Sequence, residues 1–286
     1  STLFPYTTLF RSITGGPFLH FRIIEFLKKK YKVPIILDFR DPFSQATSGF
    51  IYKKVKSIIE KRVCKFADKV IVPNRYCYNL ALCDEKKYIC IDNGYDDSFL
   101  NNINRGGARN KNDNKIHLFY TGKFIKGRSP ECLLSVVSSG SYRNRIIFHY
   151  YGQDSDKLLH YLRHENIKTY GYVNYNDMLA EISYLDIAVL FATGREYEST
   201  TKVFDYIALK KPIIVISDAQ IDSGAIFDIL KKYPMVWFLK NTADDIKSTL
   251  DYLLSYSDFE FDFNSDQFSR RHGLLKLIKV VAALLK

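Results

Sequence analysis

Three short segments of this 286-residue chain carry the residue types that hold a diphosphate. The first is Tyr120-Thr121-Gly122-Lys123-Phe124-Ile125-Lys126-Gly127-Arg128, directly after an apolar run that reads as a strand. A glycine at a strand end lets backbone N–H groups approach an anion, and the neighbouring lysines add charge. The second is Ser199-Thr200-Thr201-Lys202-Val203-Phe204-Asp205-Tyr206. Ser199 or Thr200 is a natural helix cap, which turns free N–H groups and the positive helix end toward whatever sits there. Lys202 falls in the first turn, where the helix dipole disfavours a cation, and this points to an anion beside it. Asp205 shares its face, and its carboxylate can accept from ribose hydroxyls. The same spacing also describes a plain surface ion pair. The third segment, Gly171-Tyr172-Val173, follows a strand and opens a helix, a place where a base can rest on backbone groups. Asp154-Ser155-Asp156 has the spacing of a D-x-D metal signature but opens a helix, where the dipole favours acids, so it reads as a cap. No metal is expected.

Strands and helices alternate along the chain in the order that positions such loops. Val33 to Leu37 is a continuous apolar run, Ile51 to Phe66 has helical spacing, Lys69 to Val72 is a strand, Asn74 to Cys83 a helix and Tyr88 to Ile91 a strand. The second half predicts strands at 116–120, 145–151, 167–170, 186–191, 213–217 and 235–239, with helices between them, including 156–164, 174–184 and 201–209. Such alternation argues for parallel βαβ units. A polar, glycine- and asparagine-rich stretch marks the boundary. The expected domains are 13–96, a linker at 97–114, a second domain at 115–260 and a C-terminal helix at 261–286. Thr2 to Ser12 resembles one reading frame of a sequencing adaptor, so residues 1–12 are expected to be foreign, poorly packed or unpaired, and followed by an incomplete first domain.

The net charge of +11 suits anionic partners, whether nucleotide diphosphates, phospholipid head groups or nucleic acid, and equally a scattered basic surface. Five cysteines without a C-x-x-C pair suggest reduced thiols in a cytosolic protein. No apolar run is long enough to span a bilayer.

Taken together, these segments resemble family 4-like glycosyltransferases of the GT-B superfamily, over nearly everything from Ile13 onward. Gly15-Gly16-Pro17-Phe18, Asp38-Phe39-Arg40-Asp41-Pro42, Ala67 to Pro73 and Asn93-Gly94-Tyr95-Asp96 look like the first domain's turn, strand-end and hinge elements. Gly122, Lys126 and Gly127 match the "G…KG" loop, and Lys202 and Asp205 the "K-x-x-E-Y" helix start. Two departures stand out: Asp205 is one methylene shorter than the family's glutamate, and Glu198 is one residue out of register with its partner acid.

The resemblance implies an α/β chain with two Rossmann-like domains and no cofactor beyond a nucleotide diphosphate sugar as co-substrate. It implies transfer of the sugar, with retention, to a hydroxyl of a glycan or lipid-linked acceptor in envelope polysaccharide synthesis. Lys126, Lys202 and Asp205 would be catalytic. Gly122, Lys123, Gly127, Tyr172, Val173, Thr200 and Thr201 would bind the donor, with Asp38, Arg40 and Asp41 on the acceptor side. Lys126 and Lys202 should converge within roughly 10 Å. The expected location is cytoplasmic, with peripheral contact at the inner face of the membrane and no nucleic-acid partner. A sugar-nucleotide 2-epimerase of the same fold and a degenerate nucleotide-sugar-binding protein are the alternatives.

Overall fold

The structure is a computed structural model, and it describes residues 11–14, 19–46, 49–100, 114–255 and 259–285. It forms two compact units. One holds the described residues up to Asn93 together with the helix from Arg270, and the other runs from Gly94 to Ser269.

The first unit has four parallel strands in chain order, β1 (Arg11–Thr14), β2 (Ile35–Asp38), β3 (Lys69–Val72) and β4 (Tyr88–Cys90). β1 corrects the sequence reading. Arg11 and Ser12 pair with Ile35 and Ile36 at the sheet edge, so the boundary expected at Ile13 runs through a strand. Residues 1–10 lie outside the described part. Helices α1 (Ile24–Tyr31) and α2 (Phe50–Phe66) follow β1 and β2. α2 buries Glu60, Val63 and Cys64, whereas Ile51, Val55 and Ile58 of its expected apolar stripe are exposed. Glu60 accepts from the Ser44 N–H at 3.1 Å, and burial raises its pKa above the ordinary carboxylate value. The helix expected over Asn74 to Cys83 is only a 3-10 turn, Arg75–Cys77. Asn74 takes the Tyr76 N–H, and the Asn79 N–H donates to the Tyr88 hydroxyl at 3.0 Å, so side chains draw off the donors a helix would use.

The second unit opens with a short helix, α3 (Asp97–Leu100). Then come β5 (Ile116–Thr121), α4 (Glu131–Val137), α5 (Tyr142–Arg145), β6 (Ile146–Tyr151), β7 (Ile167–Thr169) and α6 (Tyr175–Ser183). They are followed by β8 (Ile187–Ala192), α7 (Lys202–Ala208), β9 (Ile213–Ser217), α8 (Ala225–Leu230), β10 (Val236–Lys240) and α9 (Ala243–Leu254). The sheet is wholly parallel, in the order β10-β9-β8-β5-β6-β7. Counted from its own first strand this is the doubly wound order 3-2-1-4-5-6. Alternate residues of β5 feed two cores. Leu118 and Tyr120 pack with Leu133, Phe148 and Leu250 on one face, and Phe119 packs with Leu179, Leu190 and Phe204 on the other. The helix expected at 156–164 shrinks to a 3-10 turn, Ser155–Leu158, continued by i→i+3 turns.

The last helix, α10 (Arg270–Leu284), belongs with the first unit, where Gly273 lies against Ile91. Its glycine has no φ in the left-handed region, so close packing and not backbone conformation explains it. All five cysteines are free. No helix among the described residues is long and apolar enough to cross a membrane.

Candidate functional site

The sheet of the second unit reverses its strand order between β5 and β8, which pair with each other while their successors run outward on opposite sides. Loops leaving the C-terminal ends of those two strands border a crevice, and that is where open α/β sheets bind ligands. The first two of the three segments read from the sequence sit on these two loops.

They meet. Gly122 has a φ of +113°, a conformation that side chains rarely adopt, and a Cβ there would lie 2.6 Å from the Lys202 Nζ. The Lys202 ammonium also stands 4.0 Å from the centroid of the Tyr120 ring, in cation–π contact. Nothing local brings residues 122 and 202 together; the parallel sheet does. Lys202 is half-buried, and burial, reinforced by the Arg128 guanidinium and opposed by Glu198, pulls its pKa down to about 7. A lysine held in that state gains from an anion that restores its proton.

Arg128 is the second cation of the site, and the sequence reading passed over it. Its Nε and Nη2 both donate to Glu198 Oε1, the Nε at 3.0 Å. Glu198 Oε2 accepts from the Thr193 N–H at 2.7 Å and from its hydroxyl at 2.6 Å. Glu198 is 8% exposed and Arg128 17%, so this clasp is largely out of water and joins the loop after β5 to the loop after β8. Gly127, at φ +82°, lies against the Thr193 side chain. Lys123 and Lys126 are exposed on the same loop.

The Gly122 loop is held from behind by β6 and the turn after it. The Tyr150 hydroxyl donates to the Gly122 carbonyl at 2.9 Å and the Tyr120 hydroxyl to the Lys123 carbonyl at 2.8 Å. Lys157 Nζ donates to the Phe124 carbonyl, and Asp154 Oδ2 accepts the Phe124 N–H at 2.6 Å. Asp154 is therefore spent on this loop and makes no side-chain bond to its own 3-10 turn, which corrects its reading as a cap. Gly152 completes the arrangement: a Cβ there would fall 2.2 Å from the Tyr150 hydroxyl and 2.3 Å from the Gly122 carbonyl. Gly152→Ala must break that hydrogen bond. We expect it to cost about 1–3 kcal/mol of stability, read from denaturant melts. An unchanged midpoint would show that the loop tolerates the methyl group.

Asp205 is 8% exposed, and the Tyr175 hydroxyl donates to its Oδ1 at 2.7 Å. Asp205 is thus not the exposed pair-maker that its spacing equally allowed. The next residue, Tyr206, bonds through its hydroxyl to Thr121, with the N–H at 3.2 Å and Oγ1 at 3.0 Å, and so ties α7 to the end of β5. The helix cap was expected at Ser199 or Thr200; the residue before α7 is instead Thr201, in helical conformation and with no side-chain cap bond. Ser199 Oγ is buried without a partner. Gly171 has φ +67°, Tyr172 is 77% exposed, and Val173 packs on the Phe119 core. Asn174 then caps α6, accepting the Asp177 N–H at 3.0 Å. In the first unit, Asp38 at the C-terminal end of β2 accepts from Thr14 at 2.7 Å and from Arg40 at 3.0 Å, and Asp41 beside them is exposed. Among the described residues no group of three or more His, Cys, Asp or Glu side chains could hold a metal ion.

Fold and strand order make this an α/β chain of two parallel-sheet, Rossmann-like units, the fold type called GT-B. No family profile matches the chain, and no curated protein sequence is similar to it. Solved structures are. Anabaena HepE in complex with UDP is 8% identical, with a TM-score of 0.67 over 92% of this chain and 76% of that one. A glycosyltransferase from Rickettsia africae is 12% identical, with a TM-score of 0.63 over 96% and 83%. The UDP-GlcNAc 2-epimerase of Methanocaldococcus jannaschii is 10% identical, with a TM-score of 0.54 over 92% and 80%.

Proposed function

We infer that the chain is a glycosyltransferase that moves a sugar from a nucleotide diphosphate sugar to a hydroxyl of a glycan or lipid-linked acceptor. The carrying observation is the half-buried Lys202 ammonium set against Gly122 at the switch point, with Arg128 beside it. When the bond between the sugar's anomeric carbon and the phosphate oxygen breaks, negative charge gathers on the departing diphosphate. Fixed donors that already face that position lower the barrier without having to reorganise. Lys202 is the principal donor, the exposed Lys126 adds charge from the same loop, and Asp205, oriented by Tyr175, takes the ribose hydroxyls. Gly171, Tyr172 and Val173 receive the base. Retention of anomeric configuration follows from the family resemblance. UDP, which the Anabaena neighbour holds, is the first nucleotide to try.

Calorimetric titration with UDP, with and without a chelator, tests the reading. We expect saturable binding of equal strength in both. Loss of binding on chelation would sink the metal-free site, and no binding of any nucleoside diphosphate would sink the transferase. Incubation with UDP-sugar separates the related activity, since an epimerase returns an intact nucleotide sugar whereas a transferase releases UDP as the sugar passes to an acceptor hydroxyl or to water.

A further inference from the structure

The other end of the second unit's sheet, where β5, β6 and β7 begin, carries a hollow of about 520 Å³ that shares no residue with the site around Lys202. That volume falls in the range of small-molecule sites. Lys115 before β5, Arg143 on α5 and Lys168 on β7 bring three cations to it, against a single carboxylate, Glu165. Arg143 and Lys168 are exposed and make no ion pair among the described residues. Two carboxamides, Asn144 and Asn166, also line the hollow. Asn166 is 4% exposed, and its Nδ2 donates to the Val137 carbonyl at 2.9 Å and the Ile146 carbonyl at 3.0 Å. Its Oδ1 is buried with no hydrogen-bond partner. Buried acceptors without donors are rare, because the desolvation cost goes uncompensated.

These features select a ligand. Arg and Lys attract a phosphate group, and with net positive charge around it the hollow favours an anion. Glu165 and the Asn144 carboxamide, which line the same hollow and are exposed, offer acceptors to several hydroxyl donors, of which a sugar or polyol supplies many and the inorganic phosphate dianion one. No aromatic ring lines the hollow among the described residues, so none of them stacks a nucleobase there. We propose that this hollow binds a small phosphate ester of a sugar or polyol, with the phosphate among the three cations and the hydroxyls on Glu165 and Asn144.

Glucose 1-phosphate is the probe, added to the ¹⁵N-labelled Lys202→Ala chain so that phosphate at the other end of the sheet does not contribute. Saturable amide shifts confined to residues 138–144 and 165–168 are expected. Arg143→Ala combined with Lys168→Ala should raise Kd at least about tenfold, since two charge-assisted bonds are lost. Glucose itself should not bind, and inorganic phosphate should bind about tenfold more weakly than the ester. No shifts at millimolar ester, or a Kd unmoved in the double variant, would overturn the site. Inorganic phosphate binding as tightly as the ester would overturn the polyol assignment.

Discussion

Lys202→Ala should weaken UDP binding by about 1.5–3 kcal/mol, roughly 10- to 150-fold, while the domain stays folded. The size comes from the loss of one charged hydrogen bond in a half-buried place. The fold should survive because Lys202 contributes little to either core: α7 is anchored by Val203, Phe204, Tyr206 and Ile207, all fully buried. The ammonium by itself is even a burden, held against Arg128, with Glu198 and the Tyr120 ring in its favour among the described residues. Lys202→Met, which keeps the stem, should therefore melt no lower than wild type at pH 7 and bind UDP as poorly as the alanine variant. Wild-type affinity in both variants would remove the main support for the transferase reading.

UDP affinity should fall with rising pH from about 7, approaching tenfold per unit until the bound state's own lysine titrates. Lys202 loses its proton near pH 7 in the empty site, whereas a diphosphate beside it favours the charged form and raises that value. Below pH 7 the lysine is charged before and after binding, and affinity is flat from this cause. Above it, each binding event takes up a proton. Titrations at pH 8 in two buffers of different ionisation enthalpy measure that proton directly; zero uptake there, with uptake at pH 6, would refute the assignment. The same linkage has a stability sign. The unfolded chain holds this proton to about pH 10.4 and the native chain only to about 7, so unliganded wild type gains stability over Lys202→Met as pH rises between those values.

Much of the scaffold was legible because buried parallel strands are written as short continuous apolar runs. Lys69 to Val72 and Ile213 to Ser217 were read to the residue. Gly122 and Lys202 were legible as chemistry, since a glycine at a strand end and a lysine against a helix dipole both ask for an explanation. The pairing of Arg128 with Glu198 was not. Their partnership spans seventy residues, and no periodicity encodes a contact that only the sheet creates. Gly152 left no signal either, because its need for hydrogen in place of a methyl group comes from the Tyr150 hydroxyl folding back over it. The short turns at 75–77 and 155–158 were overread as helices; at 75–77 the Asn74 side chain takes the Tyr76 N–H, and at 155–158 the Asp154 and Lys157 side chains are turned to the Phe124 backbone.

The pinning of the Gly122 loop has a consequence for the thermodynamics of recognition. Three successive carbonyls, from Gly122 to Phe124, are occupied by Tyr150, Tyr120 and Lys157 before any ligand arrives. The conformational entropy of that loop is surrendered when the domain folds, so an arriving diphosphate does not have to supply it. Affinity at the front of the sheet thus depends on packing behind it. Lesions in the Tyr150 to Lys157 stretch should register first as weaker nucleotide binding, in a part of the chain that need never touch the nucleotide.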